Sequence, residues 1–237
     1  MPRFFVDTPL TAAGEIALPA GAARHVQVLR LQPGDALTLF DGSGPEWQAE
    51  VTAMGRSEVH VRLIAPSQPS RELPRAVTLA VVMPANDRMD FIVEKASELG
   101  AAVLQPLMSE RSVLRLTGER ADKKRAHWQG VAIAAAEQSG RTMPMQVQAV
   151  QPLGAWLASL PAPGTDEWRG LLSPRAAQPL QPITGQRVLL LSGPEGGLSD
   201  AEEEAARARG FAAVSLGPRV LRADTAPLAV LSWIALS

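Results

Sequence analysis

The chain has 237 residues, of which 46% are hydrophobic and 20% charged, and a formal net charge of -1 at neutral pH. That composition describes a globular protein with material for one large domain or two modest ones. The absence of cysteine excludes disulfides, thiolate catalysis and cysteine-built zinc sites, and His25, His60 and His127 lack the spacing of a metal-ligand set, so no metal is expected.

The opening segment "MPRFFVDTPL" lacks the basic-then-apolar order of a signal peptide. No apolar run approaches the roughly 20 residues needed to cross a bilayer, so no membrane partner and a cytoplasmic location are expected. The first elements are short and strand-like: "RFFVD", "EIALP", "DALTLFDG", "EWQAEVTA" and "EVHVRLI", with one helical piece, "AARHVQVLRL". Short strands closely spaced by Gly, Pro and Asp turns predict a small β-barrel or sandwich over residues 1–70. The stretch "APSQPSRELP" then reads as a linker.

From residue 75 to 237 the pattern alternates. The run "AVTLAVVM" is continuously apolar, as in a strand buried on both faces. The helix "DRMDFIVEKASELG" places Met89, Ile92, Val93, Ala96 and Leu99 on one side and ends at Gly100. Strand "AVLQPLM", helix "DKKRAHWQGVAIAAAEQSG", strand "MQVQAV", helix "LGAWLASL" and strands "RGLLSP" and "RVLLLSG" follow. Helix "DAEEEAARARG", strand "FAAVSLG" and helix "TAPLAVLSWIAL" complete the chain. Alternation of this kind predicts an α/β domain with a mostly parallel sheet covered on both faces.

Two strand ends break in the same manner, into "SGPEGGLSD" and "SLGPRVLRADT". Ligands of such sheets bind beyond the carboxyl ends of the strands, where glycines admit a close approach and a following helix offers free N–H groups. Ser199 and Glu202 have the spacing of a capping box, which starts a helix at the first of these loops. The order of residues matches neither the common phosphate loop nor the dinucleotide fingerprint. A carboxylate in mid-loop, Glu195, suits a cation or a ribose hydroxyl better than a phosphate. A neutral or cationic nucleoside-like ligand is therefore expected.

The paired loops, together with "PRFFVD", "HVQVLRLQPGD", "EKASELGAAVLQPLMSERSV" and "EQSGR", resemble the RsmE family of 16S rRNA (uracil-N3) methyltransferases, of the SPOUT class. The resemblance implies a PUA-like β-barrel for RNA recognition, then a SPOUT α/β domain whose C-terminal segment forms a trefoil knot. It implies a homodimer acting on a uridine of 16S rRNA in the small ribosomal subunit, with S-adenosyl-L-methionine as cofactor. The cofactor is expected against Leu172, Ser173 and Pro174, against Ser192, Gly193, Pro194, Glu195, Gly196 and Gly197, and against Leu216, Gly217, Val220, Leu221 and Arg222.

Methyl transfer to uracil N3 requires loss of a proton, which makes Asp224 a candidate base and Arg219 and Arg222 candidate stabilisers of the uracil anion. Alternatively, Arg222 and Asp224 pair with each other and brace the loop. Arg3, Arg24, Arg30, Arg111 and Arg141 are candidate RNA contacts, and Gln138, Ser139 and Arg141 a candidate site edge. Where the family usually reads Arg-Thr-Glu-Thr-Ala, this chain has Arg222-Ala223-Asp224-Thr225-Ala226, with a shorter carboxylate and one hydroxyl fewer. A non-catalytic RNA-binding dimer on the same scaffold, or a methyltransferase for another RNA position, is the alternative reading.

Overall fold

Alternation of apolar and polar residues marks the two longest strands of the first sheet. Its strands are β1 (Arg3–Phe5), β2 (Gly14–Ala17), β3 (Ala36–Phe40), β4 (Glu46–Met54) and β5 (Val59–Ser67), in the order β1-β3-β4-β5-β2. Trp47, Ala49 and Val51 of β4 and Val59, Val61 and Leu63 of β5 point inward, as a two-residue period requires. Helix α1 (Ala20–Val28) adds Ala22, Ala23 and Val26 to the same core. Two register shifts along the β4–β5 pairing bend these strands.

The computed structural model describes residues 1–56, 58–69, 71–85, 88–176 and 178–236. The chain divides into two units, residues 1–72 with 136–144, and residues 73–135 with 145–237.

In the second unit the strands are β6 (Ala76–Val82), β7 (Val103–Met108), β8 (Gln146–Val147), β9 (Gln151–Pro152), β10 (Glu167–Leu172), β11 (Arg187–Ser192) and β12 (Ala212–Val214). All pair in parallel, in the order β12-β10-β11-β6-β7-β8, with β9 beside the end of β7. The helices are α2 (Arg88–Glu98), α3 (Gly118–Ser139), α4 (Leu153–Ser159), α5 (Asp200–Ala208) and α6 (Thr225–Leu236).

Strands buried on both faces explain the unbroken apolar runs. On one face Val77, Leu79, Leu104, Val188 and Leu190 pack with Ile92 of α2, Trp128 of α3 and Leu231 of α6. On the other, Ala80, Leu107, Leu189 and Leu191 pack with Trp156 of α4 and Ala206 of α5. Asp90 of α2 joins the two helices of the first face: its carboxylate accepts the Trp128 indole N–H at 2.9 Å and lies 2.7 Å from His127 Nε2.

Three elements differ from expectation. Helix α3 starts at Gly118, one turn before the expected Asp122, with Glu119 in the first turn where an acid complements the helix dipole. The segment "MQVQAV" keeps only the short strand β8, and the unexpected strand β9 follows it, ending on Pro152, which cannot donate to a ladder. Strand β12 stops at Val214, and beyond it Ser215 forms an isolated bridge to Pro179.

Candidate active site

Strands β12, β10 and β11 are neighbours, so the three loops that follow them open at one end of the sheet. They enclose a cavity of about 500 Å³, within the range of small-molecule sites. Its walls are Leu172, Ser173 and Pro174 after β10, Ser192 through Gly197 after β11, and Leu216, Gly217, Val220, Leu221 and Arg222 after β12. Two glycines make these turns possible, because Gly197 has φ +66° and Gly217 φ +98°, where a side chain is disfavoured. The Gly197 N–H closes its turn on the Pro194 carbonyl at 2.9 Å.

The second loop is held from four directions. Ser199 Oγ accepts the Glu202 N–H at 3.3 Å while Glu202 accepts the Ser199 N–H at 2.9 Å, which completes the capping box. The other Glu202 oxygen accepts the Glu110 N–H at 2.8 Å. Arg111 donates to the Gly196 carbonyl at 2.8 Å and its side chain forms part of the cavity wall. Glu195 accepts from the Ala85 N–H and from Arg88 Nη1, both at 3.1 Å. The carboxylate thereby ties the loop after β11 to the turn after β6, where the strand order reverses direction.

Arg219 and Arg222 stand exposed at the cavity, and among the described residues neither enters an ion pair. The Arg222 carbonyl accepts the N–H groups of Thr225 and Ala226, each at 3.0 Å, and so anchors the residue at the start of α6. Asp224 lies outside the cavity wall and accepts from the Thr225 hydroxyl at 3.3 Å. No Arg222–Asp224 ion pair is present among the described residues. Ala223 is buried in the cavity wall.

Two charged wall residues escaped the sequence reading, Arg175 and Glu203. Glu203 shares the buried side of α5 with Ala206, and an acid three residues from a buried alanine on an amphipathic helix is the signal that could have shown it. Hydrogen bonds from Arg175 to Glu203, and then to Asp200, raise the guanidinium above its ordinary value. It is a permanent cation at any working pH.

The candidate RNA contacts lie in different settings. Arg24 and Arg30 are exposed, with Arg30 in the left-handed region at φ 58° just after α1. Arg3 is paired with Glu46 and donates to the Gly140 carbonyl at 3.0 Å. Arg141 is buried and donates through Nε to Glu72 at 3.0 Å. Ser139 Oγ is buried with no hydrogen-bond partner among the described residues, and Gln138 is exposed. Among the described residues, no group of three or more His, Cys, Asp or Glu is gathered for a metal ion, and no helix is long and apolar enough to cross a membrane.

Residues 71–235 match the model of an RNA methyltransferase domain, and residues 18–64 that of an RNA methyltransferase PUA domain. The ribosomal RNA small subunit methyltransferase E of Bacillus subtilis is 31% identical, over 99% of this chain and 96% of its own. This chain belongs to the ribosomal RNA small subunit methyltransferase E family. A Synechocystis family member is 35% identical over 92% of this chain and 72% of its own. The Neisseria gonorrhoeae member, solved bound to S-adenosyl methionine, superposes with a TM-score of 0.92 at 34% identity, covering 100% of this chain and 97% of its own. A Legionella pneumophila methyltransferase in complex with the same cofactor gives 0.91 at 31% identity, covering 99% and 96%.

Proposed function

We propose that the chain is an S-adenosyl-L-methionine-dependent methyltransferase that modifies N3 of a uridine in the 16S rRNA of the small ribosomal subunit. The observation that carries this reading is the convergence of three glycine- and proline-containing loops on one cavity, with two arginines in its wall that enter no ion pair among the described residues. The donor set fits the cofactor: backbone and small side chains admit an adenosine, and no lysine or phosphate loop competes for it. When bound, the cofactor supplies an activated methyl group on a sulfonium.

The chain's own contribution is then alignment and charge. Arg222, held by its carbonyl at the start of α6, and Arg219 stabilise negative charge as uracil N3 gives up its proton. Asp224 receives that proton, directly or through water, after moving from its place beside Thr225. Residues 1–70 serve as the RNA-recognition module, with Arg24 and Arg30 on its open surface, and residues 75–237 as the catalytic domain. The active form is a homodimer, and the C-terminal segment follows the trefoil path of its class.

The decisive assay is methyl transfer to small ribosomal subunits that lack the modification, with the product base mapped in the rRNA. Methylation at uracil N3 is expected. A product at another atom, or cofactor binding without any transfer, would replace this reading by one of its alternatives.

A further inference from the structure

Resting on the reading of the cavity as the cofactor crevice, we propose that Glu203 is a positioning residue that sets cofactor affinity by holding the wall after β10 against α5. Glu203 is 5% exposed, in the first turn of α5. Its Oε1 accepts from Ser173 Oγ at 3.0 Å and from Arg175 Nη2 at 2.7 Å, and its Oε2 accepts from Arg207 Nη2 at 2.8 Å. Arg175 also pairs with Asp200, the first residue of α5. Ser173, itself 4% exposed, donates its N–H to the Val214 carbonyl at 3.1 Å. One carboxylate thus links the loop after β10 to the helix after β11, and through Ser173 to the end of β12. These are the three walls of the cavity.

Stability alone does not account for this acid. A buried ion pair is commonly no better for folding than an apolar side chain of similar size, and the neighbouring buried position on α5 is an alanine. What an apolar residue could not do is fix the turn of Ser173 to Arg175, because only an acceptor with two oxygens can take a hydroxyl and two guanidinium groups together. The cluster contains neither Arg219 nor Arg222, so it acts on the shape of the cofactor wall and not on the reacting base.

The test is calorimetric titration with S-adenosylhomocysteine, beside melting curves and steady-state methylation, on wild type and the variants E203Q, R175Q, R175K and R207Q. Glutamine at 203 keeps the size but presents an amide N–H₂ to two cations. E203Q and R175Q are expected to weaken binding about tenfold or more, a change of roughly 1.4 kcal/mol. The loss should fall on the KM for S-adenosylmethionine and not on kcat. R175K should recover only part of the affinity, since a point charge cannot bridge Glu203 and Asp200 as a planar fork does. R207Q removes one cation from Glu203 Oε2 but leaves Ser173 and Arg175 on Oε1, so it should weaken binding less than R175Q does. Wild-type affinity in both E203Q and R175Q, or a loss confined to kcat, would overturn the proposal. If E203Q does not fold, the half-exposed Arg175 carries the same test. Failure of wild type itself to bind the ligand would instead remove the cofactor reading beneath it.

Discussion

At the scale of single residues, Arg222 is where structure and chemistry make a quantitative demand. Its guanidinium has no carboxylate partner among the described residues, so its removal should cost little stability. Methyl transfer in Arg222→Ala should fall on the order of a hundredfold or more, as when one donor aimed at developing charge is lost. Single-turnover methylation of small subunits measures this, and a near-normal rate would remove the assigned role. Glu46 makes a different demand, on pH. Burial pushes its carboxyl up, but hydrogen bonds from Arg3 and Arg71 outweigh that and hold it below the ordinary 4.5. The unfolded chain then takes up the proton more readily, so the contribution of Glu46 is present above 4.5 and lost as pH falls through the folded value. Glu137 has the opposite sign: burial outweighs the Phe5 N–H and the charges of His25 and Arg3, and its contribution is lost as pH rises above 4.5. Denaturant midpoints measured through the acid range should therefore fall less steeply with acid in Glu46→Gln than in wild type. A parallel decline in both proteins would contradict the assignment.

At the scale of elements, caps and interhelical contacts decide what can be changed. The Ser199 cap both starts α5 and fixes the loop it follows, and Ser199→Ala should cost about 1 kcal/mol of stability. Urea unfolding is the measurement. Asp90 holds the indole N–H of Trp128, which is 1% exposed at the α2–α3 contact. Asp90→Ala leaves that donor buried without an acceptor, at a cost of about 1–3 kcal/mol, whereas Asn should restore most of it. A neutral effect of Asp90→Ala in thermal melts would mean that another acceptor takes its place.

At the scale of the whole molecule, α6 points to assembly. It buries Pro227, Leu228, Val230, Leu231 and Ile234 in its own unit, yet Ala229 lies exposed and Leu236 is 90% exposed. A helix that is apolar all round needs a second surface. The proposed homodimer supplies one, and sedimentation at micromolar concentration should show twice the chain mass. A monomer there would end both the dimer and any active site completed across it. An Ala229→Glu variant should dissociate the dimer while keeping the fold, since residue 229 is open in the single chain.

Strand and helix identities were legible in sequence because they depend on local period. Alternation over Glu46–Met54 and the unbroken run of Ala76–Val82 each indicate how many faces of a strand are buried. The loops that line the cavity were legible for the same reason, as Gly-Pro breaks at the ends of apolar runs. Only the tertiary structure decided which loops meet, because β12 lies beside β10 and not beside β11, the strand before it in the chain. Only it shows that Glu195 is bound to Arg88, 107 residues away, and that Arg111 is bound to the Gly196 carbonyl, 85 residues away. It likewise shows Arg3 and Arg141 to be engaged within their own unit, and Glu203 to be the hub of a polar cluster. A charged side chain has the same local pattern whether it faces water, RNA or a buried partner. Its partner is set by which distant strands and loops become neighbours, and no local period records that.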